Sequence, residues 1–321
     1  MSETVFIKGL RGLEIESRTD CSGTPRAGCV ATIGSFDGVH LGHQNLLKTL
    51  KALAAKYDLP SVVVLFEPQP HEYFSKEKAP ARLMRLREKV CTLLDYGVDQ
   101  VLCLRFDRDL CSLSAEAYIQ RVLVDGLAVK HLVVGDDFRF GCDRAGDYAM
   151  LKREGEKLGF SVRDTNTLLD GSQRVSSTRI RNLLENDALD HAKKLLGRPF
   201  SVTGRVIYGK QLGQVLGFPT ANVGLGRYRS PVKGVYAVEV TIDSVAYKGV
   251  ANVGVRPTVG GLEKPILEIH LLDLSEQLYG KFLSCVFLQK LREEKTFSSL
   301  DDLKKNIQID VDVARDFFEN I

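Results

Sequence analysis

Several things are missing from this chain, and each absence removes a class of function. There is no run of five like charges, so neither a nucleic-acid arm nor a polybasic membrane patch is expected. The strongest apolar run, Val62 to Phe66, is far too short to span a bilayer. The start, Met1-Ser2-Glu3-Thr4, carries an acid, and no long apolar stretch follows it, so no secretory signal is expected. No two of the seven cysteines have C-x-x-C spacing, and their number is odd. Cys21, Cys29, Cys91, Cys103, Cys111, Cys142 and Cys285 therefore read as reduced, mostly buried thiols of a cytoplasmic protein, not as a disulfide framework or a zinc site. Internal repeats and low-complexity segments are absent too.

What is present is ordinary in bulk and distinctive in detail. The 321 residues are enough for two domains, each with its own core. Hydrophobic residues make up 44% and charged residues 26%, and 44 basic against 41 acidic residues leave a net charge of +3. That balance suits a soluble protein of small-molecule chemistry better than an RNA-binding scaffold.

The first ~185 residues alternate strand and helix signals. Strands are expected at Cys29–Ile33, Ser61–Phe66, Gln100–Phe106 and His131–Gly135. Between them, Leu46, Leu47, Leu50, Leu53, Ala54 and Tyr57 trace one face of a helix over Gln44–Tyr57. Leu83, Leu86, Val90, Leu93 and Leu94 trace a second helix, stopped by Gly97, and Ser114 opens a third. Short continuous apolar strands separated by amphipathic helices imply a parallel sheet covered on both faces, a Rossmann-like α/β domain. After Leu196-Gly197-Arg198-Pro199 the pattern changes to short strands broken by glycine and proline, as expected of an antiparallel barrel, and Ser298–Phe318 closes the chain as a helix. The boundary falls near residue 187, giving domains 1–187 and 188–321.

Three stretches of the first half point to a phosphate site. Gly34-Ser35-Phe36-Asp37-Gly38-Val39-His40-Leu41-Gly42-His43 lies where a strand turns into a helix, so backbone N–H groups and the positive helix end face the ligand. Gly135-Asp136-Asp137-Phe138-Arg139-Phe140-Gly141 follows the strand at His131. Val175-Ser176-Ser177-Thr178-Arg179-Ile180-Arg181 opens a helix, with Arg181 four residues after Ser177 and so on the same side. Each alone has a plainer reading: a polar H-x-G-H loop, a surface ion pair between Asp137 and Arg139, a helix cap at Ser176–Thr178. In the second half, Gly209-Lys210-Gln211-Leu212-Gly213-Gln214-Val215-Leu216-Gly217-Phe218-Pro219-Thr220-Ala221-Asn222 lacks the Walker A order. Its glycines permit a flap over phosphates, and Thr220 and Asn222 offer oxygen ligands suited to Mg²⁺; a glycine-rich hairpin is the plainer alternative. Glu268 and His270 share one face of a strand, opposite Leu267, Ile269 and Leu271.

The residues Gly34-x-Phe36-Asp37-Gly38-x-His40-x-Gly42-His43, Gly135-x-Asp137-Phe138-x-Phe140-Gly141 and Ser176-Ser177-Thr178-x-Ile180-Arg181 resemble the adenylyltransferase module of bacterial bifunctional riboflavin kinase/FAD synthetases. Leu216–Asn222, Gly234-Val235-Tyr236, Asn252-Val253-Gly254-x-Arg256-Pro257-Thr258, Glu268-x-His270, Leu278-Tyr279-Gly280 and Leu291-Arg292-x-Glu294 resemble the kinase module of the same family. The resemblance spans roughly residues 25 to 318. It implies phosphorylation of riboflavin to FMN, then attack of FMN on the α-phosphorus of ATP to give FAD and pyrophosphate.

On that resemblance His40 and His43 stabilise charge at the phosphates, Gly34, Phe36, Asp37 and Gly38 shape the nucleotide turn, and Ser177, Thr178 and Arg181 hold the leaving phosphates. Asp137 and Phe138 line the nucleotide or flavin pocket; Phe66–His71 forms a proline-stiffened loop nearby, with no catalytic role for His71. In the kinase half Gly209 and Gly217 flank the nucleotide flap, Thr220 and Asn222 hold Mg²⁺, Glu268 is the general base, and Arg292 shapes the flavin site. FAD made in this way is expected to pass on to apo-flavoproteins. One departure stands out: Gln214 replaces a frequent arginine, removing a charge-assisted contact worth about 1–3 kcal/mol.

Overall fold

The computed structural model describes residues 5–8 and 28–320, except 210–212, 214, 215, 227, 258–262 and 275. Gln214 and Cys21 lie outside the described residues. The chain forms two compact units, one comprising 1–78 and 86–176, the other 79–85 and 177–321.

Six parallel strands build the first unit: β1 (Val5–Lys8), β2 (Cys29–Ile33), β3 (Ser61–Glu67), β4 (Gln100–Arg105), β5 (Val129–Gly135) and β6 (Ser161–Thr165). Their order in the sheet is β1-β4-β3-β2-β5-β6, and the short strands β7 (Leu169–Asp170) and β8 (Gln173–Arg174) pair as a separate antiparallel hairpin. All five residues of β2 are buried, and β3 and β4 are nearly so, because helices cover both faces. On one face helix α1 (Leu41–Tyr57) buries Leu47, Leu50, Leu53 and Ala54. Tyr118, Ile119, Val122 and Leu123 belong to the core cluster that also holds Ala31, Val64 and Leu132. From β2 the chain winds outward through β3 to β4, then returns to place β5 on the other side of β2. The carboxyl ends of β2 and β5 therefore flank the crevice where strand order reverses, the usual ligand position in such sheets.

Strands β9 (Ser201–Ile207), β10 (Ala221–Gly224), β11 (Gly234–Ile242), β12 (Val245–Pro257), β13 (Glu263–Leu271) and β14 (Phe282–Arg292) form the second unit. They close in the order β10-β13-β12-β11-β14-β9, each pair antiparallel. The terminal helix Leu300–Glu319, which we label α2, is capped by Ser299 and packs Val311, Ala314 and Phe318 against Val235, Ala237 and Val250. That second layer explains why β11 reads as an almost unbroken apolar run: both of its faces are covered.

Candidate functional site

In the first unit the loop after β2 ends in an unusual cap. The helix begins at Leu41, three residues earlier than the apolar spacing indicates, because His40 itself is the N-cap. Its Nδ1 accepts from the His43 backbone N–H at 3.4 Å, so a neutral His40 carries its proton on Nε2. The two imidazoles stack, centroids 3.7 Å apart and 18° from parallel. Phe36 lies 4.9 Å from His43 and is buried, as is Asp37. Phe36 and Val39 both hold positive φ (46° and 40°), a strained backbone of the kind found where function over-determines geometry. Gly42 is required for this arrangement: a Cβ there would sit 3.1 Å from His40 Cε1 and 3.3 Å from the Val175 carbonyl.

Two basic residues that the motifs do not contain surround these rings. Lys89, on the helix Leu86–Asp95, is buried, and its Nζ donates to the Ser35 carbonyl at the start of the loop. Arg174, on the hairpin strand Gln173–Arg174, makes a two-point pair with Asp137 at 2.6 and 3.1 Å. Burial, then the charges of His40, Lys89 and Arg174, push the His43 pKa well below 6.5. His43 is therefore a neutral imidazole at neutral pH, a hydrogen-bonding group in a positive field. Arg174 in turn holds the Asp137 carboxyl below its ordinary range.

Next to this loop lies a cavity of about 640 Å³. Gly34 and Ser35 line its polar edge, and Asp137, Phe138 and Phe140 come from the turn after β5. Phe66, Phe74 and Phe106 form an edge-to-face aromatic wall. Its size and aromatic lining suit a planar heterocycle. The loop after β3 contributes Gln69, Pro70 and His71 to the same wall. Ser177, Thr178 and Arg181 open the helix Ser177–Glu185 and belong to the second unit. There Arg181 Nε donates to the Ala81 carbonyl at 2.6 Å.

In the second unit the register assembles a polar row. Glu268 on β13 lies opposite Asn222 on β10 and opposite Asn252 on β12. Opposed residues share a sheet face, so the three side chains form one line across three strands. Leu267, Ile269 and Leu271 on the other face are buried. The Glu268 face looks instead onto a cavity of about 230 Å³, walled by Phe218, Thr220, Asn252, His270, Arg292 and the α2 residues Leu303, Ile307, Asp310 and Val311, among others. Thr220 also lines an adjoining cavity of about 110 Å³ with Tyr279 and Glu276.

The Oδ1 atoms of Asn222 and Asn252 are buried without a hydrogen-bond partner. Asn222 points its Nδ2 at the Thr220 carbonyl, 3.5 Å away, which leaves Oδ1 as an uncommitted acceptor. Orphaned amide oxygens beside a carboxylate and a threonine fit a hard cation. Gly209 packs so closely on the Asn222 amide that any Cβ would collide with it. Gly217 turns the chain just before Phe218. His270 Nδ1 lies 2.9 Å from the Pro219 carbonyl, which only accepts, so Nδ1 donates and holds the Pro219-Thr220 segment. Arg292 is clamped by Asp310 through two bonds of 2.7 Å and stacks over Phe297 at 5.6 Å.

Lys89, Arg174, Asn252 and Asp310 are thus site residues that sequence reasoning does not single out. Asn252 alone carried a signal, lying within one of the resemblance motifs.

Two family descriptions match the chain: FAD synthetase over residues 23–179 and riboflavin kinase over residues 196–318. A bifunctional riboflavin kinase/FMN adenylyltransferase of Escherichia coli (strain K12) is 50% identical over 97% of this chain and 98% of its own. One from Pseudomonas fluorescens is 53% identical over 97% of this chain and 96% of its own. A Streptococcus pneumoniae crystal structure titled a macrolide-efflux protein superposes with a TM-score of 0.77 at 29% identity, covering 97% of this chain and 98% of its own. Among the described residues of the present chain, no helix is long and apolar enough to cross a membrane.

Proposed function

The chain belongs to the bifunctional riboflavin kinase/FMN adenylyltransferases, and from that premise we propose which residues carry each step. The protein phosphorylates riboflavin with ATP to give FMN, and adenylylates FMN with ATP to give FAD and pyrophosphate. We assign adenylyl transfer to residues 1–187 and phosphorylation to 188–321. The observation that supports two separate sites is that each compact unit has its own cavity with its own convergent polar groups, although the units divide at 176/177, with 79–85 in the second, and not at 187.

In the adenylyltransferase the aromatic cavity takes the isoalloxazine, with Phe138 on its wall and Asp137 at its edge. The FMN phosphate then lies toward Gly34 and the histidine loop. His40 and His43 are hydrogen-bond donors to the phosphates of ATP, and Lys89 and Arg174 supply the positive field. Gly34, Phe36, Asp37 and Gly38 shape the nucleotide turn. Ser177, Thr178 and Arg181 keep the leaving-phosphate role that their motif implies. No covalent enzyme intermediate is needed: the step is an in-line displacement by the FMN phosphate, accelerated by positioning and charge stabilisation.

In the kinase Glu268 accepts the proton of the riboflavin 5′-hydroxyl as it attacks the γ-phosphorus of ATP. A weak base suffices because phosphoryl transfer depends mainly on alignment and charge neutralisation. The flavin lies in the cavity between Glu268 and α2, with Arg292 at its wall, and the nucleotide lies on the other side of Thr220, under Gly209 and Gly217. Thr220, Asn222 and Asn252 would hold Mg²⁺, which when bound neutralises nucleotide phosphate charge. We place the enzyme in the cytoplasm, where ATP is supplied and where thiols such as Cys29, Cys103 and Cys285 stay reduced.

The test separates flavins chromatographically after incubation with ATP and Mg²⁺. His43→Ala is expected to stop FMN to FAD and spare riboflavin to FMN; Glu268→Ala is expected to do the reverse. Either substitution abolishing both steps in a folded protein would overturn the two-site assignment.

A further inference from the structure

Segment 79–85 sits away from the half of the sequence that surrounds it. It lies inside the stretch matching FAD synthetase, yet it is part of the compact unit that holds the barrel. It forms neither helix nor strand, and Ala79, Ala81, Arg82, Leu83 and Met84 are buried. Hydrogen bonds from the second unit tie it down: Arg181 Nε donates to the Ala81 carbonyl at 2.6 Å, and Arg198 Nη2 lies 3.3 Å from Met84 Sδ.

Arg85, the last residue of the segment, bonds to the end of one barrel strand. Its Nε donates to the Leu225 carbonyl at 2.6 Å, and its Nη2 donates to the Gly224 carbonyl. Those carbonyls stand where β10 finishes. The surroundings leave room for a guanidinium. Gly226 turns there with φ 57°, and a Cβ on it would lie 3.2 Å from Arg85 Nη2 and 3.4 Å from Cζ and Nε. A Cβ on Gly204 of β9 would lie 3.4 Å from Arg85 Nη1. Arg85 therefore fits beside β9 at the end of β10, just beyond the last β9–β10 pair, Val206 opposite Val223.

β10 has reason to need a clamp. It has four residues, and among the described residues it pairs with β9 at only two positions. A slip of one residue would turn Asn222 away from Glu268 and Asn252. Mg²⁺ demands near-ideal placement of its oxygen ligands, so a group that orients one of them shows in metal affinity. We infer that Arg85 is a positioning residue of riboflavin phosphorylation: by fixing the end of β10 it holds Asn222 at its place in the polar row. This role rests on the reading that Asn222 would hold Mg²⁺. It also makes a segment from within the adenylyltransferase half of the sequence a working part of the kinase.

The experiment uses the full-length protein with Asn222→Ala, Arg85→Met and Arg85→Lys. Mg²⁺ titrations at fixed ATP follow riboflavin phosphorylation and FMN adenylylation separately by chromatography. Amide hydrogen exchange over residues 221–225 is read without Mg²⁺ or nucleotide. Asn222→Ala is expected to raise the half-maximal Mg²⁺ concentration of phosphorylation or to stop that step. If it phosphorylated riboflavin with the parental Mg²⁺ requirement, the metal reading would fall and the role of Arg85 with it.

Given the first result, Arg85→Met is expected to raise the half-maximal Mg²⁺ concentration of phosphorylation about tenfold, as the loss of a group that orients a metal ligand does. Exchange over 221–225 is expected to quicken, and the Mg²⁺ requirement of adenylylation to stay as it was. Lysine offers a compact ammonium in place of the planar fork, so Arg85→Lys is expected to fall between the parent and Arg85→Met. The lysine variant carries the test if the methionine variant does not fold. Faster exchange with an unchanged Mg²⁺ requirement would show that Arg85 serves the fold alone. Unchanged exchange would show that it does not hold β10. Either result, or an equal rise in the Mg²⁺ requirement of both steps, would overturn the inference while leaving the metal reading standing.

Discussion

Alanine at position 42 is expected to disable FAD formation in a protein that remains folded and still phosphorylates riboflavin. The added Cβ would meet His40 Cε1 at 3.1 Å, His40 Nδ1 at 3.2 Å and the Val175 carbonyl at 3.3 Å. All three are tighter than ordinary van der Waals contact. The carbonyl belongs to the backbone, so the imidazole must move. Alanine gains up to about 1 kcal/mol of helix propensity over glycine. Overpacking costs about 1–3 kcal/mol, and losing the bond from the His43 N–H to His40 Nδ1 costs about 1 kcal/mol. The net destabilisation is about 1–3 kcal/mol, less than the stability of a typical domain. The effect on chemistry is larger, because a displacement of about 1 Å at a reacting centre costs on the order of a hundredfold in rate. The measurement follows riboflavin, FMN and FAD by chromatography, beside a thermal melt. If Gly42→Ala formed FAD at the parental rate, or lost both steps together, the role given to the histidine cap would be refuted.

Three more outcomes follow from the same geometry. Because the folded pKa of His43 lies below 6.5, the unfolded chain binds more protons than the native state between those two values. Stability is therefore expected to fall as pH drops through that window, and a series of melts from about pH 7 to about pH 5 should show a smaller slope for His43→Asn; an unchanged slope would contradict it. Asn252→Ala is expected to raise the Mg²⁺ concentration needed for half-maximal riboflavin phosphorylation and leave FAD formation from FMN alone, as a metal titration of each step would show. Tyr236→Phe removes a buried hydroxyl that lies 2.9 Å from Asp187 Oδ1 and 2.8 Å from the Lys233 carbonyl, and should cost about 1–3 kcal/mol in urea unfolding with both activities intact below the transition.

Patterns within a few residues of one another were legible in the chain. Cys29–Ile33 reads as a strand and is one, because an apolar run covered on both faces needs no partner to declare itself. The terminal helix shows its apolar stripe at Ile307, Val311 and Ala314 and meets the barrel on that stripe. The motifs around His40, Asp137, Thr220 and Glu268 point to phosphate and flavin chemistry because their residue types and order do so before any folding. Less legible were elements whose signal is weak or unusual. Among the described residues the edge strand Val5–Lys8 pairs only with β4, and β6 has a largely exposed surface with no apolar run. Helix α1 starts at Leu41 because a histidine caps it, and histidine is not a residue that usually announces a cap.

Juxtaposition was decided by tertiary structure alone. Lys89 looks like one more lysine of an amphipathic helix until packing buries it beside Ser35. Arg174, on a separate hairpin, meets Asp137 37 residues away. Asn222, Glu268 and Asn252 become one row only because strand register aligns them, and a shift of one residue would turn each to the opposite face. Composition and periodicity determine which side of an element is apolar, since that depends on neighbours in the chain. Which polar groups are left facing a cavity, and which of them lack a partner there, depends on contacts between residues far apart in sequence. For that reason the chain by itself specified the two reactions and their principal motifs, whereas only the fold revealed the charges around His43 and the orphaned amide oxygens of Asn222 and Asn252.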